Sequence, residues 1–93
     1  MRPEDLLDTV HDRESFIAFA SALAEERDRA EQIERDNPGT YIIDGALGWM
    51  NGSIGQFIEA GLTHFEPAPD EKPIETPTWK DLAMFLYCGK IIE

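Results

Sequence analysis

One cysteine and two histidines stand among 93 residues. Cys88 has no partner for an internal disulfide. With only His11 and His64 beside it, no cysteine- or histidine-rich metal site can be written. Cations are also scarce: 8 Lys+Arg face 19 Asp+Glu, a formal net charge of −11. That balance excludes a module that reads duplex phosphates, which needs Lys and Arg, and it argues against an anionic membrane surface. No apolar run approaches the ~18 residues of a membrane-spanning helix. The opening MRPEDLLDTV places acids where a signal peptide needs an apolar core. A cytosolic chain without nucleic-acid or membrane partners is therefore expected. Neither G-x-G-x-x-G nor a P-loop nor an EF-hand loop occurs, and no cofactor is expected.

What is present is the composition of one globular domain, residues 1–93. Hydrophobic residues make up 42% and aromatics 10%, too many for a disordered chain. A domain this small buries roughly 60–65% of its unfolded surface, so it folds on its core alone. Pro3-Glu4-Asp5 reads as a first helical turn, and a helix over 3–10 follows. Asp12 is an N-cap candidate for a second helix over 13–36. Phe16, Phe19, Ala20 and Leu23 carry its i, i+3, i+4, i+7 spacing. Glu25–Arg29 and Glu31–Arg35 are i,i+4 pairs worth ~0.2–0.5 kcal/mol each. Asn37-Pro38-Gly39 ends it.

Residues 41–61 admit two readings. Ile43, Leu47, Met50, Ile54 and Phe57 fall on one face of a helix, while Gly45, Gly48, Gly52 and Gly55 fall on the opposite face. Four interior glycines cost about 1 kcal/mol each. The rival is a hairpin turning at Asn51-Gly52, with Tyr41, Ile43 and Ile54 in strands. The apolar stripe favours a helix over 42–60. Residues 63–77 hold four prolines and four acids and read as an extended loop. Thr76-Pro77-Thr78-Trp79 then opens a helix over 77–90, apolar nearly all round. Gly89 and Lys90 suit its C-terminal end.

The run Pro77-Thr78-Trp79-Lys80-Asp81-Leu82-Ala83, then Leu86, then Lys90-Ile91-Ile92-Glu93, resembles the ending of a family of small acidic bacterial proteins. That family carries only a domain-of-unknown-function label. Its members end close to Pro-Ser-Trp, then Ala and Leu, then Lys-Ile-Tyr-Glu, and Ile92 here replaces the tyrosine. Ala46-Leu47-Gly48-Trp49 and Arg13-Glu14-Ser15-Phe16-Ile17-Ala18-Phe19 are similar too. The resemblance implies an all-helical domain and supports a helix at 41–61. It implies no activity and no catalytic residue.

Together these readings predict an all-α bundle of about four helices. Its core is expected to hold Leu6, Phe16, Phe19, Leu23, Leu47, Met50, Ile54, Trp79, Leu82 and Leu86. Asp5 with Asp8, and Glu25 with Asp28, stand three apart and can share a helical face, as cation ligands do. In so acidic a chain a solvated face explains them more simply. His11 and His64 have no nucleophile beside them in sequence. Cys88 lies near a helix C-terminus among apolar neighbours, where a thiol stays unreactive.

The absence of site chemistry, the charge and the acidic loop point to a non-catalytic protein-interaction module. Its partner would be a basic protein or a second copy of the chain. An immunity- or antitoxin-like role is the sharper form. A carboxylate-based metal-dependent enzyme is the alternative. The expected contact surface joins Trp49, Gly48 and Gly52 to the loop residues Asp70 and Glu71, although core packing is the favoured role for Trp49 itself.

Overall fold

The computed structural model describes residues 2–93. Four α-helices follow in order: α1 (Pro3–Leu7), α2 (Arg13–Asp36), α3 (Ile54–Leu62) and α4 (Trp79–Ile91). Single 3-10 turns stand at Ala46–Gly48 and Thr63–Phe65. No strand occurs among the described residues, so the chain is all-α.

Local chemistry sets the helix ends. The Asp12 carboxylate accepts from the Ser15 amide at 2.8 Å, and Ser15 Oγ donates back to Asp12 Oδ1 at 2.6 Å. This reciprocal cap starts α2 where the sequence places it. Ser53 caps α3 through the Gln56 amide at 3.2 Å. Thr78 and Asp81 cap α4 reciprocally, so Pro77 lies before the cap and not in the first turn.

The buried core joins Leu7, Val10, Phe19, Leu23, Ala30, Ala46, Trp49 and Ala83. Phe19 is fully buried, which contributes about 1.5–3 kcal/mol. Helix α4 is central: α1, α2 and α3 all pack on it. Its contact with α3 is very close. A Cβ on Gly61 would lie 2.7 Å from the Phe85 carbonyl, and one on Gly89 would lie 2.6 Å from the Phe57 ring. These two glycines let the helices approach.

Residues 42–60 do not form one helix, and Asn51-Gly52 does not turn a hairpin. Only the part from Ile54 onward is helical. Before it, Leu47 and Gly48 adopt positive φ (57° and 83°), which closes a tight turn no helix can contain. The turn is held by distant partners. Gly45 N–H donates to the Trp49 carbonyl at 2.7 Å, and Met50 N–H donates to the Lys90 carbonyl at 2.8 Å. Asn51 Nδ2 donates to the carbonyls of Gly89, at 2.8 Å, and Ile92. These bonds satisfy the end of α4 as a C-cap would.

The core expectation changes with this. Leu47 is 44% exposed, Ile54 81% and Trp79 38%. Leu6, Phe16, Met50, Leu82 and Leu86 are half-buried. The first helix ends at Leu7 and not at residue 10.

Candidate functional site

Trp49 is the hub of the interior. Its ring is 4% exposed and stacks on Phe57 with centroids 6.0 Å apart. Its indole N–H donates to Glu26 Oε1 at 3.0 Å. Lys90, 3% exposed, reaches Glu26 Oε1 and Glu4 Oε1, both at 2.6 Å. Thus α1, α2, α4 and the turn at 46–49 meet on one buried ammonium. Burial pushes the Glu4 carboxyl up, but the Lys90 ammonium outweighs this and leaves it below its ordinary value. Burial likewise pushes Lys90 down, but Glu26 and Glu4 outweigh it and hold the ammonium above its ordinary value. Both groups are thereby fixed in their charged forms.

The other candidate groups fall apart in space. Asp5 lies 3.8 Å from Arg2, and Asp8 lies 3.6 Å from Lys80. Glu25 and Asp28 are exposed on α2. Among the described residues no three His, Cys, Asp or Glu side chains are grouped to hold a metal ion. His11 is exposed and lies against the Thr9 carbonyl. His64 is half-buried, with Nε2 3.0 Å from Asp81 Oδ1. Asp81 also accepts from the Thr78 amide, and the two contacts lower its pKa. Burial raises the Cys88 thiol, which keeps it protonated and unreactive.

Of the expected contact residues, Trp49 faces inward, so its indole offers no free surface. Gly48 and Gly52 are exposed, but neither lies on an α-helix. Asp70 and Glu71 are exposed in the loop. The Glu71 contacts are local: its amide donates to Ala68 O at 2.9 Å, and its carboxylate accepts from Ala68 N–H at 3.3 Å. Among the described residues, no hydrogen bond or ion pair joins this loop to Trp49, Gly48 or Gly52.

A different surface stands out. Helices α2 and α3 both pack on α4 but make no extensive contact with each other. A groove of about 340 Å³ runs between them. Ala20, Leu23 and Ala24 form one wall, and Ile54 and Phe57 form the other, with Trp49 and Leu86 beneath. Gly52 sits at its mouth. Its single cation, Arg27, is already held by Glu31 at 3.3 Å and Glu34 at 3.2 Å. Glu34 also accepts from the Ala46 amide. Sequence reasoning missed this groove because it counted Ile54 as core. The signal available was Ala20-x-x-x-Ala24, a small-residue strip on the longest helix.

Half of the eight cations are occupied. Arg2, Arg27, Lys80 and Lys90 each have a carboxylate within 4 Å. Exposed acids without one, among the described residues, include Glu25, Asp28, Asp36, Asp44 and Glu59. The surface potential is therefore negative over much of the molecule. No protein-family model matches the chain, no curated protein is significantly similar to it, and no solved structure matches it.

Proposed function

We propose that this chain is a non-catalytic protein-binding module whose partner is a basic protein. The observation that carries the reading is the excess of 19 Asp+Glu over 8 Lys+Arg, with Glu25, Asp28, Asp36, Asp44 and Glu59 exposed and free of any ion pair among the described residues. Such a surface attracts a positive partner quickly and rejects anionic ones. The flattened shape supports it. The Cα extents are 44 × 31 × 17 Å and the radius of gyration is 14.2 Å, against about 12 Å for a compact domain of this length. The accessible surface is 6277 Å², against about 5,400 Å² for a folded monomer of this mass. The surplus is comparable to one side of a standard interface, about 800 Å². Stoichiometric neutralisation of a basic toxin is the sharper form of the reading. A cytosolic location is proposed with it.

The test is capture from native lysate with the tagged protein at ~50 mM and ~500 mM salt, a range over which exposed charge contacts are screened. Identification of a basic protein retained at low salt and lost at high salt is expected. Recovery of the bait alone, or of salt-insensitive acidic proteins, contradicts the reading.

A further inference from the structure

We propose that the groove between α2 and α3 receives an amphipathic helix of the partner, its apolar stripe down and its Lys/Arg residues on the flanks. This deepens the interaction-module reading and rests on it. From Ala20 to Glu31 the α2 wall runs about 16 Å at 1.5 Å per residue, enough for about three helical turns. Ala20 and Ala24 keep that wall flat, so a helix axis can come within the usual 8–10 Å of α2.

On the opposite wall Ile54 is 81% exposed and Ile58, one turn on, is 45% exposed. Such apolar side chains at a groove edge are what helix-in-groove recognition buries. A helix there would pack on α2, α3 and the Leu86 floor together, filling the gap that the three helices leave.

Charge selects the occupant. Arg27 is neutralised by Glu31 and Glu34, while Asp28, one turn on from Ala24 along the α2 wall, is exposed. A second copy would bring another −11 to the same acidic surroundings. A basic helix meets opposite charge along the α2 wall and in the net charge of the chain.

The test uses an 18-residue synthetic peptide with Leu at i, i+3, i+4 and i+7 and Lys on its remaining face. A scrambled peptide of the same composition is the control. Fluorescence anisotropy of the labelled peptides reads binding, and circular dichroism checks the fold of each variant. The ordered peptide is expected to bind at least tenfold more tightly than the scrambled one. Ile54→Glu and Ala24→Glu, both at exposed positions, are each expected to weaken it at least fivefold, although each adds negative charge.

Equal binding of both peptides, or unchanged or tighter binding to the two variants, overturns the groove and leaves charge attraction standing. No binding of either peptide overturns the groove as well. The salt-dependent capture then judges the basic-partner reading separately. A dimer in sedimentation that Ile54→Glu dissolves makes the occupant a second copy and also overturns the proposal.

Discussion

Lys90 Nζ and Glu26 Oε1 lie 2.6 Å apart inside the molecule, and the same carboxylate oxygen takes the Trp49 indole N–H at 3.0 Å. This pair ties the end of α4 to the middle of α2 and fixes the irregular segment between α2 and α3. It explains why a chain with a continuous apolar stripe at 43–57 leaves the helix: Trp49 and Met50 bond across the fold instead of along it.

Removing one partner of a buried ion pair leaves the other charge stranded. Lys90→Met is expected to cost about 3–5 kcal/mol, read by urea unfolding. Glu26→Gln keeps an acceptor for Trp49 and leaves Lys90 with Glu4, so it costs less, about 1–3 kcal/mol. In the double variant Lys90→Met/Glu26→Gln the stranded Glu26 charge is gone and only Glu4 lacks its cation, so the loss is smaller than the sum of the two. Strict additivity contradicts the buried network.

The same network sets a pH window. Glu4 has a lowered pKa when folded, so its contribution is present above its ordinary value near 4.5 and is lost as pH falls through the folded value. Lys90 has a raised pKa, so its contribution is present below 10.5 and is lost as pH rises through the folded value. Asp81 adds to the acid limb, since protonation removes its bonds to Thr78 and His64. Urea midpoints are expected to be flat near neutrality and to fall at both ends. Glu4→Gln is expected to shrink the acid limb, and an unchanged limb contradicts the assignment.

Glycine to alanine normally gains about 1 kcal/mol inside a helix. At Gly61 and Gly89 the sign reverses, because the new methyl meets the Phe85 carbonyl or the Phe57 ring at under 3 Å. Each substitution is expected to destabilise by about 1–3 kcal/mol through overpacking, read as a lower Tm. Gly55, where a Cβ meets nothing within 4 Å, is the control and is expected to gain stability.

Leu47 holds φ 57°, in the left-handed region that costs a branched L-residue about 1–2 kcal/mol. It is 44% exposed, so its side chain contributes little in return. Leu47→Asn is expected to be neutral or stabilising by up to ~1 kcal/mol, since Asn tolerates this conformation. A clear drop in Tm contradicts the reading of a turn there.

Helix α2 was fully legible: Asp12 capping, the Phe16/Phe19/Leu23 stripe and the Asn37-Pro38-Gly39 stop all act within one turn of the residues they control. Helix α4 was legible for the same reason, to within two residues. The segment at 41–53 was not, because its partners are far along the chain. Asn51 bonds to Gly89, 38 positions away, and Trp49 bonds to Glu26, 23 positions away. The glycines at 45, 48 and 52 were the local warning, and the apolar periodicity outweighed them. The groove was hidden by the same error, since Ile54 on a long buried helix reads as core and on a short α3 stands at an open edge. The acidity of the surface was legible from composition, but the occupation of its cations needed the fold.

Charge reversal tests the central claim most directly. Glu25→Lys/Asp28→Lys/Glu59→Lys changes three exposed acids without a cation nearby and leaves the core untouched. Capture of basic protein at ~50 mM salt by this folded variant is expected to fall at least tenfold relative to the unmodified chain. Unchanged capture, or a change confined to acidic proteins, contradicts the claim that this chain binds through its acidic surface.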